Sequence, residues 1–318
     1  MKYALTFGMF LLFFMGCKHS TKSTPFSKVI IETVIEDSLL NIRALEINKH
    51  SLMAVSSIGD IYTYDTKTAQ ISIERVSEDT LNFRASAIVE DSYFTLSIGS
   101  PAYLFKNQEL VYQETHPDAF YDALHFWNSK EGVAIGDPTD GCMSMVTTRD
   151  GGQTWQKTPC DLLPPAMEGE AAFAASDTNI AIVGDETWVA TGGRSSRVLY
   201  SSDKGMTWEV FEVPIIQDLE TTGMYSIDFY DAQNGFAIGG DYTKPKSQYS
   251  NKIRTTDGGK TWEVVAQDQN PGYRSCVQYV PNSEGLGLVA VGFEGVDYSH
   301  DGGDTWKHLS DEGYYTLR

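Results

Sequence analysis

The chain has 318 residues, 17 of them Tyr, 15 Phe and 28 Gly, and its 24 basic against 43 acidic residues give a formal net charge of −19. That length allows a large buried core and a single repeat-built domain, with no linker or low-complexity stretch to divide it. A surface this acidic, with no basic patch to offset it, reads first as a solvated face and excludes duplex nucleic acid as a partner, since such binding rests on neutralising phosphates.

In chain order, Met1-Lys2 is followed by a mostly apolar run from Tyr3 to Met15 and then by Gly16-Cys17. A charged start, an apolar core too brief to span a bilayer and a small residue directly before Cys make an export signal. The segment resembles a bacterial lipoprotein signal in which Cys17 becomes the lipidated first residue. An ordinary secretory signal and an uncleaved anchor are the rival readings. On the lipoprotein reading, residues 1–17 are the signal, 18–27 a polar tether and 28–318 the folded domain. The protein then sits in the bacterial cell envelope, facing the periplasm or the cell surface and held to a membrane by its lipid.

The β-rich run from Lys28 to Ile35 precedes a series of short apolar stretches that end in Gly: Leu52 to Val55, Tyr93 to Leu96, Gly132 to Gly136, Ile180 to Gly184, Gly235 to Gly240 and Leu288 to Gly292. These predict buried second strands of small sheets. From Thr148 onward each sheet carries the same turn, S/T-x-D-x-G-x-T-W or a close variant, with Asp150 and Trp155, Asp203 and Trp208, Asp257 and Trp262, and Asp301 and Trp306. The Asp bonds the backbone two residues on, Gly supplies φ > 0 and Trp packs beneath, so these carboxylates read as structural turns on outer hairpins. The tryptophans stand 53, 54 and 44 residues apart, enough for four strands each. A period that long predicts an all-β propeller with four-stranded blades.

Inner strands align on one variable residue followed by a small one: Arg43-Ala44, Arg84-Ala85, Asp122-Ala123, Glu170-Ala171, Tyr225-Ser226, Arg274-Ser275 and Tyr315-Thr316. Seven starts predict seven blades, the last incomplete because the chain stops at Arg318. Either sequence beyond Arg318 finishes the ring or the ring stays open, and an open edge invites pairing with another chain. The run from Lys28 to Ile35 is the expected outer strand of the closing blade. Arg43, Arg84, Asp122, Glu170, Tyr225, Arg274 and Tyr315 are the ligand-binding candidates. Three guanidiniums near one another suit a carboxylate or phosphate, and the competing reading is a buried polar ring that only orders the blades.

With the turn centred on Gly151 and Gly152, Cys142 and Cys160 fall nearly opposite one another across a hairpin, and a disulfide between them is expected. Cys276 reads as a buried small residue. The histidines show no metal-ligand spacing, Thr191 to Ser195 is no phosphate loop, and Gly-x-Ser-x-Gly is absent, so no metal, cofactor or catalytic residue is expected. Asp137 to Asp140 is a turn first and a cation site second.

The repeated Asp-box (BNR) turns with small, apolar inner strands resemble the sialidase-like superfamily over essentially the whole mature chain. Within it, an exported lipoprotein of this design looks most like the photosystem II stability/assembly factor-like proteins, whose envelope members are often labelled oxidoreductases. That resemblance implies a non-catalytic platform that binds a protein or peptide of the envelope, with Arg43, Arg84 and Arg274 contributing. The alternative it implies is a glycoside hydrolase of sialidase type. The order of ring residues differs from the sialidase order, however, and Ala44-Leu45 stands where Ile-Pro would follow the first Arg.

Overall fold

Short apolar runs broken by Gly, Asp and Asn satisfy their backbone most simply by pairing with the next run in sequence. In the computed structural model, which describes residues 29–318, they do so six times. The first blade is β1 (Ile42–Asn48), β2 (Ser51–Ser56), β3 (Asp60–Asp65) and β4 (Gln70–Arg75), and the second is β5 (Phe83–Val89), β6 (Ser92–Ser97), β7 (Ala102–Lys106) and β8 (Glu109–Glu114). The third is β9 (Tyr121–Phe126), β10 (Gly132–Thr139), β11 (Cys142–Thr148) and β12 (Gln156–Lys157). After β13 (Glu170–Ala171) comes the fourth, of β14 (Ile180–Val183), β15 (Glu186–Ala190), β17 (Arg197–Ser201) and β18 (Glu209–Glu212), with β16 (Gly192–Gly193) set aside between β15 and β17. The fifth is β19 (Thr222–Phe229), β20 (Gly235–Asp241), β21 (Lys252–Thr255) and β22 (Glu263–Val264), and the sixth is β23 (Cys276–Tyr279), β24 (Leu288–Gly292), β25 (Gly295–Ser299) and β26 (Lys307–Ser310).

The propeller therefore has six blades, not seven. Tyr315 to Leu317 reaches the expected place, with Ser275 Oγ donating to the Tyr315 carbonyl at 2.7 Å, but it forms no strand among the described residues. The described part of the run that starts at Lys28 is largely exposed and is not a strand, because β4 already forms the outer edge of the first blade. The fourth blade is also read differently: Ile180–Val183 is its inner strand rather than its second. Glu170–Ala171 instead pairs with Gly192–Gly193, which continues onto Gly223 of the fifth blade.

Apolar clusters fill the seams between successive blades. Phe94 and Leu96 of the second pack with Leu124 and Trp155 of the third, and Trp188 of the fourth with Ile227 and Ala237 of the fifth. Burying one such side chain contributes roughly 1.5–3 kcal/mol. Among the described residues no comparable cluster joins the sixth blade to the first. The C-terminal stretch occupies that seam, with Leu317 against Cys276 and Val291, the Arg43 guanidinium 3.6 Å over the Tyr315 ring, and Arg318 paired with Glu46 at 3.2 Å.

The four repeated turns share one hydrogen-bond pattern. In the third blade Gly152 N–H donates to Thr148 Oγ1 at 2.9 Å, Thr154 N–H to Asp150 at 3.0 Å and Thr154 Oγ1 to Asp150 at 2.7 Å. Each turn also seats on an aromatic ring of the preceding blade: Gly152 on Phe94, Gly205 on Trp127, Gly259 on Trp188 and Gly303 on Phe236. Trp188 Nε1 donates to the Gly258 carbonyl at 2.8 Å, so the turn is a clasp between blades. Cys142 and Cys160 are joined in a disulfide that closes a loop across the third blade.

Candidate functional site at the axial cavity

Four inner strands contain a β-bulge in their first half, and in each the extra residue is one of the aligned positions. The register skips Arg43 between Ile42 and Ala44, Arg84 between Phe83 and Ala85, Asp122 between Tyr121 and Ala123, and Tyr225 between Met224 and Ser226. A bulge re-aims a side chain out of the sheet's alternation. The small residues that follow, Ala44, Ala85, Ala123 and Ser226, have no exposed surface. Opposite two of the bulges stand Gly136 and Gly239, where a Cβ would meet the carbonyls of Phe120 and Gly223.

The bulges open one end of the axis into a cavity of about 580 Å³. Arg43, Arg84 and Tyr315 form one side, Phe120 and Asp137 of the third blade a second, and Glu220, Tyr225, Tyr242, Tyr273 and Phe293 of the fifth and sixth blades the remainder. Its floor is Ala171 to Ala175, the start of a segment that crosses the axis. Within that segment Ser176 Oγ donates to the Ser275 carbonyl at 2.7 Å and Thr178 Oγ1 to Ser226 Oγ at 2.7 Å. The buried Asp177 carboxylate accepts the N–H groups of Ser86 at 3.0 Å and Leu124 at 2.9 Å. With Ser176, Asp177 and Thr178 buried beneath it, this floor closes the cavity along the axis.

Of the seven candidates, Arg43, Arg84, Tyr225 and Tyr315 line this cavity. Arg43 Nε donates to Asn41 Oδ1 at 2.9 Å, and Arg84 Nε to Asn82 Oδ1 at 3.0 Å, the same device in adjacent blades. Arg84 Nη1 also donates to the Ala174 carbonyl at 3.0 Å, and among the described residues neither guanidinium is in an ion pair. Burial lowers the pKa of both, and the added repulsion of Arg43 brings Arg84 down to about 10. Two cations held side by side in a half-buried cavity disfavour their own charge, and an anion placed between them relieves both.

The other three candidates have different surroundings. Glu170 is buried and accepts from Arg197 Nε at 3.1 Å and from Thr191 Oγ1 at 2.7 Å. Arg274 is buried away from the cavity, donating through Nε to Asp297 at 2.8 Å and through Nη1 to the Tyr273 carbonyl at 2.7 Å. Both are structural ion pairs, and Arg274 does not join Arg43 and Arg84. Asp122 is fully buried, and its carboxyl pKa is pushed up by burial and by Asp137, with Arg84 opposing. Asp137 itself lines the cavity, accepts the Ala172 N–H at 2.9 Å and is raised to about 6 by burial.

Several cavity residues lay outside the inner-strand alignment. Phe173 stacks on Tyr225 with centroids 4.0 Å apart, Tyr225 meets Tyr273 edge-on at 4.8 Å, and Tyr242 and Phe293 stand 6.4 and 5.2 Å from Tyr273. Asp137, Tyr242 and Phe293 each sit one or two residues past a glycine in a second strand, after Gly136, Gly240 and Gly292. That recurrence was a usable signal, as was Asn-x-Arg-Ala at Asn41 and Asn82.

No family model matches the sequence, and no curated protein matches it. Solved structures do. The chain is similar to YCF48 in a structure of YCF48 bound to D1 peptide, at 14% identity and a TM-score of 0.57 over 85% of this chain and 82% of that one. It is similar to the WD40 repeats of RRP9 at 11% identity and a TM-score of 0.60, covering 89% and 84%. The computationally designed protein Ika8 aligns at 13% identity and a TM-score of 0.54, covering 89% and 92%. At such identities the likeness shows the fold, and that fold is the all-β propeller.

Proposed function

We propose that this chain is a non-catalytic propeller scaffold that binds a protein or peptide at its axial cavity, of the kind found among photosystem II assembly factor-like Asp-box proteins. The observation that carries the reading is the pair Arg43 and Arg84, aimed into the cavity by matching bulges and, among the described residues, in no ion pair. A planar guanidinium fork suits a carboxylate, and two of them suit one held at the end of a chain. YCF48, a propeller of the same fold, is bound to a peptide in its structure. The envelope location and the lipid on Cys17, which lies outside the described residues, belong to the same proposal.

The sialidase-type alternative needs a Tyr hydroxyl activated by a carboxylate. Tyr225 instead donates to the Thr221 carbonyl at 2.9 Å, and Glu170 is held by Arg197. The test is capture from an envelope extract by the mature protein, by an Arg43→Ala/Arg84→Ala variant and by Arg274→Ala at a temperature where it stays folded. Loss of the captured protein in the double variant alone is expected. Equal capture by the double variant and wild type would remove the arginines from the function.

A further inference from the structure

The cavity has two chemically different poles. Arg43 and Arg84 of the first two blades make a cationic side, with Arg43 braced 3.6 Å over the Tyr315 ring. Tyr225, Tyr242, Tyr273 and Phe293 make an aromatic side whose rings meet at steep or tilted angles rather than closing on themselves: 81° between Tyr225 and Tyr242, 87° between Tyr225 and Tyr273, 33° between Tyr273 and Phe293. The poles adjoin, because both line the one cavity. Tyr225, with Phe173 stacked on it, and Tyr273 are buried and make the base of this side, whereas Tyr242 is 47% exposed and Phe293 39%, so these two rings offer the surface open to a ligand.

Two further features select the ligand. Residues 171–175 floor the cavity and the buried Ser176, Asp177 and Thr178 continue across the axis, so an extended chain entering here has to stop. The Arg pair favours a carboxylate terminus over an ammonium one. Asp137 and Glu220 on the remaining walls disfavour a ligand with several negative charges.

We propose that the cavity captures the C-terminal residue of a polypeptide whose last side chain is aromatic or large and aliphatic, with the terminal carboxylate on Arg43 and Arg84 and the side chain on Tyr225, Tyr242, Tyr273 and Phe293. The proposal rests on the peptide-binding reading and adds the ligand class and the residues that choose it. Edge-to-face contact with a ring strengthens the aromatic pole beyond area burial, and the same residue reaches both poles because they are neighbours. An internal acidic segment satisfies the arginines but leaves the blind floor unexplained.

The experiment is fluorescence anisotropy with four labelled Gly/Ser hexapeptides: one ending in Phe with a free carboxylate, the same peptide amidated, one ending in Gly with a free carboxylate, and an amidated one ending in Glu. The free Phe peptide is expected to bind at least about tenfold more tightly than each of the other three, a difference of about 1.4 kcal/mol. Tyr242→Ala and Phe293→Ala, both at partly exposed positions, are each expected to narrow the preference of Phe over Gly to under about threefold. Equal binding of the free Phe and Gly peptides overturns the aromatic pole while leaving the peptide-binding reading intact. Equal binding of the amidated Glu peptide and the free Phe peptide overturns chain-end capture. Binding of none of the four, with circular dichroism unchanged, overturns both this inference and the reading beneath it.

Discussion

Arg43 and Arg274 both begin inner strands, yet their neighbours give them opposite tasks. Arg43 has an Asn, a Tyr ring and open space, whereas Arg274 has a buried carboxylate and two carbonyls. Arg274→Ala is expected to cost about 3–5 kcal/mol, because it strips the buried Asp297 carboxylate of its guanidinium and leaves only His308 beside it. Thermal denaturation of Arg274→Ala beside Arg43→Ala/Arg84→Ala tests this, and the double variant is expected to melt close to wild type. Asp137 gives a second test. Its pKa is higher in the folded state, so the proton it retains stabilises the fold fully below its unfolded value near 3.9, and that contribution is lost as pH rises through about 6. Asp137→Asn keeps an oxygen for the Ala172 N–H and is expected to reduce the fall in stability between pH 4 and 6 by roughly 2–3 kcal/mol. Chemical denaturation at a series of pH values reads this out, and an unchanged slope would place the proton elsewhere. The types of the ring residues were legible in the sequence. Which of them had a partner was not, because Asp297 and Arg197 come from strands that no local pattern links to Arg274 and Glu170.

Among elements, the repeated turn was the most legible, since its bonds are local: Ser or Thr, Asp, Gly and Thr close on themselves within a few residues. Its role as a clasp was not legible, because the ring it covers lies in another blade. Gly259→Ala is expected to destabilise by roughly 2–4 kcal/mol, since φ there is +84° and a Cβ would strike the Trp188 indole. Urea melts monitored by Trp fluorescence measure it, and a neutral result would reduce the clasp to an incidental contact. The disulfide closes a loop with a sequence separation of 18, and replacing Cys142 and Cys160 together by Ala is expected to cost about 3 kcal/mol in the same assay. The fourth blade was misread because β13 departs to pair with β16, and the apolar run of Ile180–Val183 suits an inner strand as well as a second one.

For the whole molecule, the propeller and its four-stranded blades followed from the period, while the number of blades did not. An inner-strand start shows where a blade is able to begin, but only paired strands make a sheet, and among the described residues Tyr315 to Leu317 forms none. Deleting Tyr315 to Arg318 is expected to lower stability by several kcal/mol and to weaken peptide binding, since it removes both the Arg318 pair with Glu46 and the ring beneath Arg43. Calorimetry and anisotropy on the shortened chain separate the two effects. The segment that floors the cavity has a mechanical consequence as well. Arrays of repeats ordinarily fray from their ends, one unit at a time. Here the second and third blades donate backbone N–H groups to the Asp177 carboxylate, and the fifth and sixth are bonded to Thr178 and Ser176, so opposite sides of the wheel share one axle. None of these four blades is able to peel off without loosening that axle, and their slowest-exchanging amides should open together, at a single free energy.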